Sequence, residues 1–155
     1  MADEMKIRKA EPGEVPILVA FNLAMALETE GKDLDPTVLT AGVKGIFAQP
    51  GRGFYLVAEC GDEVVGSLMV TMEWSDWRNG DFWWVQSVYV APDFRKRGIF
   101  RALYAEARRM AMAADHVCGC RLYVEKENET AQAVYLRRGF QETHYRLFED
   151  SFGDE

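Results

Sequence analysis

The sequence predicts a mixed α/β domain of the α+β type, built on a central mixed sheet with the order β-α-α-β-β-β-α-β-α-β. Three observations carry this expectation. Two turn signals, Gly61-Asp62 and Arg78-Asn79-Gly80-Asp81, separate runs of alternating or β-branched residues and predict consecutive antiparallel strands. The aromatic run FWWVQSVYV then gives way, across RKRGIF, to helical spacing before another apolar run, and a strand-helix-strand crossover makes its two strands parallel. Finally, 155 residues at 48% hydrophobic content suffice for one core, so a single domain over 1–155 is expected.

The elements follow in order. MKIRKA alternates and predicts the first strand. Pro12, Gly13 and Pro16 punctuate entry into an amphipathic helix ending near Glu28, and a second helix follows Pro36 through VLTAGVKGIF. FYLVAEC and EVVGSLMVTMEW pair as a hairpin, and FWWVQSVYV is a strand whose period of two sends Trp83 and Trp84 to opposite faces. Beyond Gly98 the stripe Ile99, Leu103, Ala107, Met110 and Ala114 predicts a helix. CRLYV is the next strand, and Cys118 and Cys120 are expected to enter it buried. Asn128 suits the N-cap of ETAQAVYLRR and Gly139 the left-handed residue at its end. FQETHYRLFED completes the order as a last strand, with room for one long or two short ones.

Charge and composition narrow the function. With 18 Lys and Arg against 25 Asp and Glu the net charge is −7, which argues against general binding to nucleic acid or anionic membrane and suits a cationic small molecule. VPILVAFNLAMAL is short of the roughly 20 residues that span a bilayer. The charged opening MADEMKIRKAEPGEVP is unlike a signal segment, and Cys60, Cys118 and Cys120 are too few for a disulfide framework, so a cytoplasmic location is expected. His116, Cys118 and Cys120 form H-x-C-x-C without a second Cys/His pair, so no metal is expected.

RKRGIF stands out in so acidic a chain. A run of charge is most often a solvated turn, and a nucleic-acid patch is a second reading. The third is an anion cradle, because a helix N-terminus presents unpaired N–H groups and a partial positive charge, and a glycine there admits a phosphate close to the backbone.

Two segments together favour the cradle. VYVAPDFRKRGIFRALY resembles the acetyl-CoA signature of the GNAT family of N-acetyltransferases, a strand followed by Q/R-x-x-G-x-G/A and a helix. LYVEKENETAQAVYLRRGF resembles that family's second signature, a strand, an Asn, an Ala, a Tyr four residues on, and a closing Gly-Phe. Both occur in the family's order, and the resemblance covers nearly the whole chain. It implies the GNAT fold, with acetyl-CoA as cosubstrate between two splayed parallel strands. Arg95 fills the Q/R position and Gly98 the first Gly, while Phe100 stands where the family more often has Gly or Ala. Its N–H remains, but its side chain must turn away from the cofactor.

The resemblance also implies site residues. Pyrophosphate would lie on the amides of residues 96 to 101, among Arg95, Lys96, Arg97, Gly98, Ile99, Phe100 and Arg101. The backbone of Val88, Tyr89 and Val90 would pair with the pantetheine arm, with the Val88 amide facing the thioester oxygen. Asn128, Ala131 and Tyr135 come from the second signature, and Tyr135 matches the family's acid for the departing thiolate. A core aromatic is the plain alternative for Tyr135. Gln86 occupies a place where several relatives carry a glutamate, and an amide cannot act as a base. Glu28, Glu30, Glu73 and Asp76 remain as acidic candidates around the acceptor, with Trp74 and Trp77 as aromatic ones. Each is equally at home as a surface residue.

The leading expectation is an enzyme acetylating the primary amine of a small cationic molecule. A protein or peptide N-acetyltransferase is the runner-up, and a non-catalytic acyl-CoA-binding module of the same fold is the reading from another class. Neither nucleic acid nor membrane is an expected partner, and the resemblance allows a homodimer.

Overall fold

The computed structural model describes residues 4–153, so positions 1–3 of the charged opening lie outside the described residues. Two compact units are present, one ending at Tyr123 and one beginning at Val124.

The first unit holds a five-stranded sheet of β1 (Met5–Lys9), β2 (Gly53–Cys60), β3 (Glu63–Ser75), β4 (Gly80–Val90) and β5 (Val117–Arg121), with helices α1 (Val15–Glu30), α2 (Pro36–Ala48) and α3 (Ile99–Ala113). The strands lie in chain order, β1 to β4 antiparallel and β5 parallel to β4. Both hairpins form at the turn signals. Cys60 faces Glu63 across Gly61-Asp62, with Gly61 at φ +61°, and Ser75 faces Gly80 across a turn with Asn79 at φ +48°.

Each helix has a local cause. The Asp35 carboxylate accepts from the amides of Thr37 and Val38 at 2.9 and 3.4 Å, starting α2. Left-handed Gly31 ends α1, its own amide donating to Leu27 and the next, Lys32, to Ala26. Period-two alternation divides the sheet. Tyr55 and Val57 pack with Val15, Leu18 and Val19 of α1 and Val43 of α2. On the opposite face Gly66 meets Ile99 and Leu103 of α3, and a β-carbon there would sit 3.0 Å from the Ile99 side chain. The buried stripe of α3 is Ile99, Leu103, Tyr104, Ala107 and Ala111. Of the expected stripe, Met110 is only half-buried, and Ala114 lies past the end of the helix, where the backbone turns extended.

Tyr104 is the polar member of that stripe. Burial first, and then the neighbouring Cys120 thiol, push its phenol up to about 12. A folded value above the unfolded one, about 10, means stability that is whole below pH 10 and lost as pH rises toward 12. Alkaline unfolding followed by circular dichroism should steepen in that window, and Tyr104→Phe should remove the extra slope.

The second unit contains α4 (Glu129–Arg137), capped by Asn128, whose side chain accepts from the Ala131 amide at 3.1 Å; Gly139 follows at φ +96°. Three expectations change. CRLYV is displaced, since β5 spans Val117–Arg121 and its pairing with β4 ends at Trp84–Arg121, leaving Leu122 to Val124 outside the ladder. Cys118 is exposed, because β5 turns that side chain outward, while Cys120 is half-buried. FQETHYRLFED carries no strand, and residues 141–150 are exposed throughout. An alternating segment becomes a strand only where its amides and carbonyls find a ladder.

Candidate active site

β4 is the spine of the site. Asp81 to Trp84 pair with β5, but β4 continues to Val90 after β5 has stopped, so its last six residues present an open edge on that side. On the other side the register with β3 slips between Met69–Gln86 and Ser67–Tyr89, so Ser87 and Val88 together face Leu68. Ser87 sits at φ +51°, an unusual conformation for a side chain other than Gly, Asn or Asp. Such a bulge takes one residue out of the ladder and bends the strand. The Gln86–Val88 backbone can therefore serve a ligand.

The RKRGIF turn follows directly. A short 3-10 turn over Pro92–Phe94 leads to Lys96 at φ +64° and Gly98 at φ +79°. The ladder of α3 begins with the Ala102 amide donating to the Gly98 carbonyl at 3.0 Å. Amides preceding it point out of the helix end, the arrangement that takes anions. A β-carbon at Gly98 would meet nothing within 4 Å, so the space above this turn is open. Lys96, Arg97 and Arg101 are exposed beside it. Phe100 is half-buried and stacks on Tyr104 one turn along the same helix at 6.2 Å. A diphosphate-bearing cofactor fits this turn on three counts: left-handed glycine, open space and exposed cations.

Arg95 does something else. Its Nε donates to the Val90 carbonyl at 2.9 Å, its Nη2 donates to Glu28 Oε2 at 2.7 Å, and its guanidinium lies 5.4 Å from the centre of the Tyr89 ring. Glu28 Oε1 accepts from the Tyr89 hydroxyl at 3.3 Å. Burial, then the Glu28 charge, push the Tyr89 phenol upward, so it stays protonated and donating. Glu28, expected beside the acceptor, is thus joined through Arg95 to the RKRGIF turn.

The register places Thr71, Glu73, Phe82, Trp84, Gln86 and Arg121 on one face. Glu73 Oε1 accepts from Trp84 Nε1 at 3.1 Å and from Arg121 at 2.9 Å. The Arg121 guanidinium covers the Phe82 ring at 3.6 Å, and Trp84 leans on Tyr123 at 5.8 Å. Gln86 donates to the Thr71 hydroxyl at 2.5 Å. Trp83 is buried on the other face, as alternation demands. Trp74 pairs opposite Asp81 and so projects from the face away from Glu73; Trp77 in the turn is 87% exposed. Asp76 is exposed in that turn, and Glu30 pairs with Lys32 at 3.6 Å. Of the acceptor candidates, the register brings Glu73 and Gln86 together on one face and sends Trp74 to the other. Arg121 and Tyr123 were missed, although their alternation in CRLYV puts both on the Trp84 face once the parallel register is known.

Within the second unit, Tyr135 is half-buried on α4, with its ring edge-on to Phe140 at 6.0 Å. Burial pushes its phenol above the ordinary value. Asn128 and Ala131 are joined by the cap of the same helix.

The family description "Acetyltransferase (GNAT) family" matches residues 21–140. Among solved structures, a possible acetyltransferase from Clostridium difficile 630 is 41% identical with a TM-score of 0.91, covering 97% of this chain and 99% of that one. A predicted acetyltransferase with acetyl-CoA from Clostridium acetobutylicum is 19% identical, TM-score 0.78, over 95% and 96% of the two chains. AAC(6')-Iy in complex with the bisubstrate analog CoA-S-monomethyl-acetylneamine is 18% identical, TM-score 0.75, over 97% and 99%. The last two show the fold alone. Among curated proteins nothing matches.

Proposed function

The chain belongs to the acetyltransferase (GNAT) family, and from that premise we propose that it transfers an acetyl group from acetyl-CoA directly to the primary amine of a small cationic molecule. The observation that carries the proposal is the bulged, half-paired end of β4 running straight into the left-handed Gly98 turn. In this reading the turn holds the pyrophosphate, with Lys96, Arg97 and Arg101 as side-chain cations. The open edge of β4 at Val88, Tyr89 and Val90 takes the pantetheine arm as an added strand. The Val88 amide then donates to the thioester oxygen as negative charge grows on it, and the Tyr135 phenol gives its proton to the departing sulfur. The amine's own proton leaves through water, since Gln86 cannot accept it.

The acceptor face has a carboxylate in an aromatic setting, with both Glu73 hydrogen bonds landing on Oε1. Its other oxygen is available to an ammonium group, and the net charge of −7 favours a cationic approach. No described helix is long and apolar enough to cross a membrane.

The test is coenzyme A release from acetyl-CoA against a panel of amines, polyamines, amino acids and peptides, beside calorimetry with acetyl-CoA, coenzyme A and a DNA duplex. Release with a small cationic amine is the expected result. Binding of acetyl-CoA without turnover on any acceptor would leave a non-catalytic module, and failure to bind it would overturn the reading altogether.

A further inference from the structure

The geometry points to Glu28 as a positioning residue for the cofactor turn: its carboxylate holds the Arg95 guanidinium against β4, so that Arg95 shapes the turn instead of binding phosphate itself. The inference rests on the acetyl-CoA reading of that turn.

Arg95 is fixed from three directions, by the Val90 carbonyl at 2.9 Å, by Glu28 at 2.7 Å and by the Tyr89 ring beneath it. The peptide between Val90 and Ala91 is consequently pinned at both ends, since the Ala91 amide donates to the Val65 carbonyl at 2.8 Å. This peptide is the exit of β4 into the turn, so holding it sets the path toward Lys96 and Gly98. Glu28 is held in its own right. Its second oxygen accepts from Tyr89, whose ring packs on Phe21 of α1 at 5.1 Å. One carboxylate thus ties the C-terminal turn of α1, the end of β4 and the basic turn. Phosphate does not need Arg95, because Lys96, Arg97 and Arg101 are exposed nearby.

The proposal makes a prediction of opposite sign to simple electrostatics. Removing a negative charge near an anion site should tighten binding, and freeing Arg95 from a competitor should tighten it further if Arg95 grips phosphate. A positioning role requires the reverse. Acetyl-CoA and coenzyme A affinities should be measured by calorimetry for wild type, Glu28→Gln, Arg95→Lys, Tyr89→Phe and the Glu28→Gln/Arg95→Lys double variant. Glu28→Gln should weaken both ligands about three- to tenfold, in line with a single charge-assisted hydrogen bond at a partly exposed site. Arg95→Lys keeps the charge but loses the fork, and should cost about the same. The double variant should be no worse than either single one, the non-additivity of two partners in one contact. Tyr89→Phe, which removes only the hydroxyl, should weaken binding less. For Glu28→Gln the loss should fall on KM for acetyl-CoA more than on kcat, the split a positioning role requires. Equal or tighter binding by Glu28→Gln, or wild-type affinity in Arg95→Lys, would overturn the positioning role. A wild-type protein that binds no coenzyme A would instead overturn the acyl-CoA reading, and this inference with it.

Discussion

Gly98→Val should weaken acetyl-CoA binding by at least about tenfold, a loss of about 1.4 kcal/mol or more. Two causes add. Gly98 sits at φ +79°, where a β-branched residue is strained by about 1 to 2 kcal/mol, so the turn will move to relieve it. The new side chain also enters space in which a β-carbon meets no protein atom within 4 Å, the space a phosphate must occupy to reach the amides. That same emptiness means the variant suffers no internal clash and should fold, with a modest fall in melting temperature. Gly98→Asn separates the causes, because asparagine tolerates the left-handed region yet still carries a side chain. Loss of affinity in both variants assigns the effect to occlusion, and loss in valine alone assigns it to backbone strain. Unchanged affinity in Gly98→Val, measured by calorimetry, would exclude phosphate from this turn.

What was legible in the sequence is what is decided locally. Gly61-Asp62 and Asn79-Gly80 need no distant partner to make a turn, and Asn128 caps α4 with an amide three residues away. The period-two alternation of FWWVQSVYV separates Trp83 from Trp84 whatever lies on either side. The unread features depend on pairing across the chain. The bulge at Ser87 is carried by no glycine, so no turn residue announces it. Arg121 joins the Glu73 face only through the parallel register of β4 and β5, which composition does not set. Glu28 lies 67 positions from Arg95, and as one acidic residue at a helix end it has no signature to distinguish a clamp from a surface carboxylate. FQETHYRLFED shows the converse: its alternation is clear, but alternation is only half of a strand, and the other half is a paired neighbour.

Arg95 shows how a motif position and a role can part company. The family pattern places an Arg or Gln there, and charge suggests a phosphate ligand. In this chain the side chain bends back onto Val90 and Glu28. A basic residue beside an anion site therefore has two ways to serve it, by touching the anion or by holding the backbone that does.

Tyr135→Phe should lower turnover about 10²-fold while leaving acetyl-CoA affinity and the fold nearly unchanged. General acid catalysis contributes typically about 10² to 10⁴, and the low end is expected because a thiolate is already a tolerable leaving group and water can replace the phenol in part. Burial raises the Tyr135 phenol above its ordinary value, so the proton it must donate is present throughout the neutral range. The sign fixes the pH dependence. For a required acid, activity holds below the folded value and falls as pH rises through it, so the alkaline limb assigned to Tyr135 should lie above the ordinary phenol value of about 10, and vanish in the phenylalanine variant. The substitution keeps the ring that packs edge-on to Phe140, so that contact is preserved and a change in melting temperature should be small. The decisive measurement is turnover on the best acceptor from the amine panel, with acetyl-CoA saturating and the chemical step shown to limit the rate. A loss confined to KM would mark a binding contact. Unchanged turnover would return Tyr135 to a packed aromatic of α4 and leave water as the acid.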